Sequence, residues 1–210
     1  MTDTSDNNLT KHLDVFKEIG NIGAGNAASA LAGLLNKRIS MTVPDAAVVP
    51  FNTIVDMMQG PETLVAGVLV DVSGELHGFN LLVLEMKDAL AMISQALGKP
   101  VSEVASPGFE LSELQRDTLM EIVNIIVGSF LSAISSFTGL SVVPSVPNLS
   151  IDMLGAIISI ATIQYGQVGD TVLFLKTQFN DLEGEISGHF FLIPDYNSYK
   201  ILINSLGLEG

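Results

Sequence analysis

The chain has no cysteine among its 210 residues, which excludes a disulfide framework and thiolate chemistry. Cations are scarce. Nine Lys and Arg against 23 Asp and Glu leave a formal charge of −14, which disfavours nucleic acid and anionic lipid as partners. Such a balance serves solubility, or a partner that brings a basic face. Long hydrophobic runs are missing too. The longest largely apolar stretch, Met153 to Ile163, falls well short of the roughly 20 residues a membrane-spanning helix needs. The opening M-T-D-T-S-D-N-N has neither the basic nor the apolar region of an export signal. These absences predict a cytoplasmic protein without membrane insertion.

What is present is a core and a repeat. Hydrophobic residues make up 48% of the chain, enough for one large domain or two closely packed halves. Asp14, Glu18 and Asn21 are spaced i, i+4, i+7, which places them within about 60° of one another on a helix. Moving 103 positions along gives Asp117, Glu121 and Asn124, and the same shift takes Pro44 onto Pro147. The pattern D-x3-E-x2-N-x22-P therefore occurs twice. Ten of the 31 aligned pairs between Asp14 and Pro44 are identical, Gly25 with Gly128 and Val43 with Val146 among them. Similarity of that extent marks a duplicated structural unit.

Periodicity and punctuation predict the same element order in both halves. In the first, a frayed tail over residues 1–8 precedes a helix from Thr10 to about Leu35. Four glycines (Gly20, Gly23, Gly25, Gly33) inside it suggest close packing against a neighbouring backbone. A strand follows from Arg38 to Val43, stopped by Pro44. Then come a short helix over Phe51–Met58, a hairpin (Ala66–Val72, Leu76–Leu84) and a helix over Lys87–Leu97 closed by Gly98. The stretch 99–111 is expected to be a linker, its two prolines lying between Lys99 and Gly108. In the second half, Ser112 and Gln115 form a capping box for a helix reaching Phe137. Leu140–Val143 should be a strand, and Ser150 should cap a helix over Ile151–Ile163. A second hairpin (Thr171–Thr177, Glu185–Ile193) turns near Asn180-Asp181 and Gly184, and Pro194-Asp195 opens a last helix ended by Gly207. The expected fold is α+β. It is one domain over 1–210, built from homologous halves at about 9–98 and 112–207 related by a pseudo-two-fold axis. Long helices would pack on a largely antiparallel sheet shared by both halves, since one hairpin with two helices cannot close a core alone.

Several chemistries can be weighed on these residues. Gly23-Ala-Gly25-Asn-Ala-Ala28 resembles a dinucleotide fingerprint, but it follows a charged helical segment rather than a strand. Gly20 and Gly23 also become Val123 and Ile126 in the second copy, while Glu and Asn persist. The duplicated Glu-x-x-Asn is harder to read as a solvated helix face, because Asn124 sits among Ile122, Val123, Ile125, Ile126 and Val127. Two carboxylates and an amide make a thin metal site. Asn is no general acid or base, which weakens an acid–base pair. A docking site, with Glu seeking a cation and Asn orienting a water, uses both residue types for what they do well. Asp14 and Asp117 also suit the helix macrodipole near an N-terminus. His12, His77 and His189 do not recur at matching positions and read as satisfied structural residues; the methionines read as core filling.

The double motif, with E-I-G-N-I-G-A-G-N-A-A-S in the first copy, S-V-P-N-L-S-I-D-M in the second and the terminal F-L-I-P-D-Y-N-S-Y, resembles the CheC-type chemotaxis phosphatases. That family includes CheX and the flagellar-switch protein FliY, and the resemblance runs over essentially the whole chain. It implies hydrolysis of the aspartyl phosphate on the response regulator CheY. Carried over by position, Glu18 with Asn21 and Glu121 with Asn124 would be the catalytic pairs, with Asp14, Pro44, Asp117 and Pro147 supporting the motif. No cofactor of its own is implied, the Mg²⁺ being the regulator's. The receptor deamidase CheD is a second implied partner, for which Ile151, Asp152, Met153 and Leu154 are the candidate surface. An alternative function is therefore a non-catalytic adaptor regulating CheD.

Overall fold

In the computed structural model, which describes residues 3–50, 53–58, 60–105, 110–165, 171–180 and 185–208, each half contributes a long helix, a hairpin and shorter helices. The first half holds α1 (Asp3–Leu35), β1 (Ser40–Pro50), α2 (Ile54–Met57), β2 (Leu64–Gly74), β3 (Gly78–Glu85) and α3 (Met86–Leu97). After α4 (Val101–Val104) come α5 (Glu113–Thr138), β4 (Val142–Pro144), β5 (Asn148–Met153), α6 (Leu154–Tyr165), β6 (Thr171–Asn180), β7 (Glu185–Pro194) and α7 (Tyr196–Ser205).

The sheet explains why neither half stands alone. Its order is β1-β6-β7-β3-β2-β4, with β5 also on β2, and every ladder among the described residues is antiparallel. The strand after each long helix crosses to the other half: β1 pairs with β6, while β4 and β5 pair with β2. The two hairpins meet at β3 and β7. Leu81 faces Phe191 there, with Phe79 opposite Ile193 and Val83 opposite His189. The junction of the halves therefore lies at the centre of the sheet, between one hairpin of each. The expected architecture is the one observed.

Alternation along the strands divides the core in two. Ala66, Val68, Leu82, Leu84, Phe190 and Leu192 pack against α1, α3 and α5. Val65, Phe79, Leu81, Val83, Phe191 and Ile193 face Ile54 of α2 and Leu154, Ile157 and Ile158 of α6. The middle strands are thus buried on both faces, and β3 accordingly reads as a nearly unbroken apolar run. Among the described residues two buried polar groups are unpartnered, the Asn80 carboxamide and His189 Nδ1. His189 is structural as expected, its ring lying 5.7 Å from Phe174 and 6.5 Å from Phe191, but it is not fully satisfied. His77 is exposed, and the His12 side chain lies outside the described residues. Among the described helices α5 is long and apolar enough to cross a bilayer, yet half of that stretch is buried in the protein.

Several boundaries differ from expectation. Helix α1 begins at Asp3, not Thr10. Thr10 has Leu13 rather than Glu or Gln at the third position, so no capping box competes, and Asp3 and Asp6 suit a helix N-terminus. Pro44 does not stop β1. The strand runs on to Pro50 because it is a sheet edge with an irregularity between Thr42 and Asp45, where a missing N–H is tolerated. Ile151, Asp152 and Met153 are strand, not helix. The alternating N-L-S-I-D-M pairs with Leu64–Leu69 of β2, and α6 starts only at Leu154. The Ser112 capping box is formed, and Gly98, Gly139 and Gly207 end helices in the left-handed conformation. Of the stretch expected to link the halves, α4 places Val104 in the core, and residues 106–109 lie outside the described residues. So do residues 181–184, on which the expected turn of the second hairpin falls.

Candidate functional site

Helices α1 and α5 lie side by side on the sheet, each turning its Asp and Glu outward. The contact is closest at Gly23, where a Cβ would lie 2.9 Å from the Phe130 Cα. Phe130 in turn stacks on Phe190, with ring centroids 4.6 Å apart. Close packing thus accounts for Gly23. Gly20 lies under the Val43 and Leu175 side chains, while Gly25 and Gly33 have no such neighbour within 4 Å. The G-x-G-x-x-A segment is the interior of α1, where its amide groups serve the helix.

Asp14, Glu18, Asp117 and Glu121 are all exposed. Among the described residues neither Glu18 nor Glu121 has an ion-pair partner, so each can take a cation from another molecule.

The two asparagines differ. Asn21 Nδ2 donates to the Lys17 carbonyl at 3.0 Å and the Val43 carbonyl at 3.4 Å, and Val43 N–H donates to Asn21 Oδ1 at 2.9 Å. Val43 falls at the β1 irregularity, where pairing with β6 is interrupted. The carboxamide therefore supplies both ladder bonds that the strand lacks. This gives the x22 spacing to Pro44 a physical meaning, since the Asn grips the residue just before the proline.

In the second copy that grip is open. Asn124 is exposed and its side chain has no hydrogen-bond partner among the described residues. Val146, the counterpart of Val43, is 87% exposed where Val43 is 1% exposed. Pro144 stands where the first copy has the buried Met41, and β4 ends there. The loop is tied instead to β2: Ser145 N–H donates to the Asp71 carbonyl, and Asp71 N–H to Ser145 Oγ, both at 2.9 Å. Asp117, Met120, Glu121 and Asn124 consequently face Pro144, Ser145, Val146 and Pro147 across an open cleft of about 440 Å³. The fold thus brings all four motif residues of the second copy together. Met120, Pro144, Ser145 and Val146 were not singled out from sequence. The sequence signal for them is P-S-V-P, two prolines bracketing a short turn where the first copy reads M-T-V-P.

The candidate surface at residues 151–154 is only partly available. Asp152 and Met153 are exposed at the end of β5, but Leu154 is buried. No group of three or more His, Cys, Asp or Glu among the described residues could hold a metal ion.

A family model described as CheC-like matches residues 12–47 and 114–151, which contain both copies of the motif. The chain is 35% identical over 199 residues to the CheY-P phosphatase CheC of Bacillus subtilis, covering 94% of each chain. It is 30% identical to the flagellar motor switch phosphatase FliY of the same organism, covering 92% of this chain but 48% of that relative. Among solved structures, Thermotoga maritima FliY superposes with a TM-score of 0.74 at 21% identity, covering 94% of this chain and 96% of that one.

Proposed function

The chain belongs to the CheC-like family, and on that premise we propose that it hydrolyses the aspartyl phosphate of the chemotaxis response regulator CheY. The observation that carries the reading is the cleft where an unpaired Glu121 and an unbonded Asn124 share one helix face. Glu121 docks a cationic side chain of the regulator, and Asn124 orients the attacking water in line with the phosphorus. Glu18 and Asn21 form the second pair. A loose phosphoryl-transfer transition state asks for little general-base help, so fixing one water can supply about 3 kcal/mol, roughly a hundredfold in rate. The regulator brings its own Mg²⁺, and the protein needs no cofactor. It works in the cytoplasm, where its substrate is made.

Loss of phosphate from phosphorylated CheY, followed with substoichiometric protein, tests the proposal. The expected result is a shortened lifetime with turnover. An unchanged lifetime would overturn it in favour of the adaptor reading, in which CheD docks on the exposed Asp152 and Met153 at the end of β5.

A further inference from the structure

Val146 is an anomaly for a soluble surface. It is an aliphatic side chain 87% exposed at the tip of a turn, the most exposed large hydrophobic residue among those described, and it lies on the rim of the Glu121–Asn124 cleft. Its counterpart Val43 is buried, so the exposure comes from the turn and not from the repeat. The turn is also held rigidly. Pro144 and Pro147 fix the backbone on either side, and Ser145 makes two hydrogen bonds to Asp71 of β2. A preorganised apolar knob loses little conformational freedom when covered.

We propose that Val146 is the apolar anchor that seats the phosphorylated regulator at the second site, making this turn a determinant of which regulator is accepted. The inference rests on the phosphatase reading of the same cleft. The occupant is a globular domain carrying the acyl phosphate, with a basic side chain for Glu121 and, beside its phosphorylation site, a shallow apolar depression for Val146. Two features favour that occupant over a small anion. Asp117 and Glu121 make the cleft acidic, so a free phosphate would be repelled, whereas a cation-bearing domain is attracted. An apolar contact contiguous with a charged one also matches the mixed anatomy of protein interfaces.

The test is a steady-state comparison of Val146→Ser and Val146→Ile with the unaltered protein, using phosphorylated CheY and, for binding alone, its beryllofluoride-activated form. Val146→Ser is expected to raise KM and Kd about tenfold, equivalent to about 1.4 kcal/mol, with kcat unchanged. Val146→Ile should restore both. When Glu121→Ala and Asn124→Ala have silenced the second site, Val146→Ser should not alter the residual KM. An unchanged KM and Kd for Val146→Ser, in a protein that hydrolyses phosphorylated CheY, would overturn the anchor alone. A fall in kcat at constant KM would likewise refute it. An unaltered protein that neither binds nor hydrolyses the regulator would remove both the anchor and the phosphatase reading.

Discussion

Asn21 holds Val43 by both of its backbone polar groups, whereas Asn124, its counterpart 103 residues later, makes no hydrogen bond to Val146. One motif therefore does two jobs. In the first copy the carboxamide completes a strand edge, and the water-orienting role proposed for it would require it to let go. In the second the carboxamide is free at the mouth of a cleft.

The two asparagines should separate in activity and in stability. Asn124→Ala is expected to remove the larger share of hydrolysis while leaving the melting temperature unchanged. Asn21→Ala should cost less activity but leave the Val43 N–H and C=O unpaired, a loss of about 1–2 kcal/mol or roughly 3–6 °C. Each single variant keeps measurable activity, and the double variant has none, with near-additive losses. Phosphate release and thermal melts on the three proteins check this. Greater activity loss from Asn21→Ala would contradict the assignment, as would an unshifted melt.

Within the second site, the Glu and the Asn should fail differently. Glu121→Ala removes a charge-assisted contact, so it should weaken binding of activated CheY, most visibly at low salt. Asn124→Ala should slow hydrolysis with binding nearly intact. Titrations at about 20 and 300 mM salt distinguish the two cases, a Debye length of roughly 20 Å shrinking to about 6 Å between them. Equal binding losses would refute the division of labour.

The repeat exposed the duplicated unit and the polar face before any coordinates, because a helix maps i, i+4, i+7 onto one side by its geometry alone. Capping was equally local: Ser112 with Gln115, and Gly98 or Gly207 past a helix end, act within one turn. What was not legible depends on distant partners. Pro44 looked like a stop, but β1 continues because β6 of the other half accepts it as an edge. Ile151–Met153 looked helical, but β2 offered a ladder. Unequal sites were expected from Gly20, Gly23 and Ala27 becoming Val123, Ile126 and Phe130, but which site is open was hidden, since Val43 and Val146 are the same residue in aligned positions. Their fates diverge through Pro144 in place of Met41 and through the Ser145 bonds to Asp71.

The glycines of α1 give a test of helix packing. At Gly23 an added methyl meets the Phe130 backbone, so Gly23→Ala should destabilise the protein by about 1–3 kcal/mol. At Gly25 nothing lies within 4 Å, and Gly25→Ala should stabilise the helix by up to about 1 kcal/mol. Urea midpoints of the two variants should move in opposite directions. A shared direction would mean that the approach of α1 to α5 at Gly23 is misplaced.

His189 should make stability depend on pH. Burial, and secondly the positive charge of Lys176, hold its pKa below the ordinary 6.5, with Glu85 opposing weakly. Its Nδ1 has no partner that would favour the protonated ring, which is stacked beside Phe174 and Phe191. The unfolded chain therefore binds this proton more readily than the folded one. Stability is fully present above pH 6.5, falls as the pH drops below that value, and stops falling on this account once the folded-state pKa is passed. The slope from one such group is at most about 1.4 kcal/mol per pH unit. His189→Phe keeps an aromatic ring in the stack and removes the titration. Urea midpoints measured between pH 7.5 and 5.5 should accordingly fall less for the variant than for the unaltered protein. Parallel pH profiles would show that the folded protein accepts the proton at His189 without cost, and that the ring is more hydrated than its packing implies.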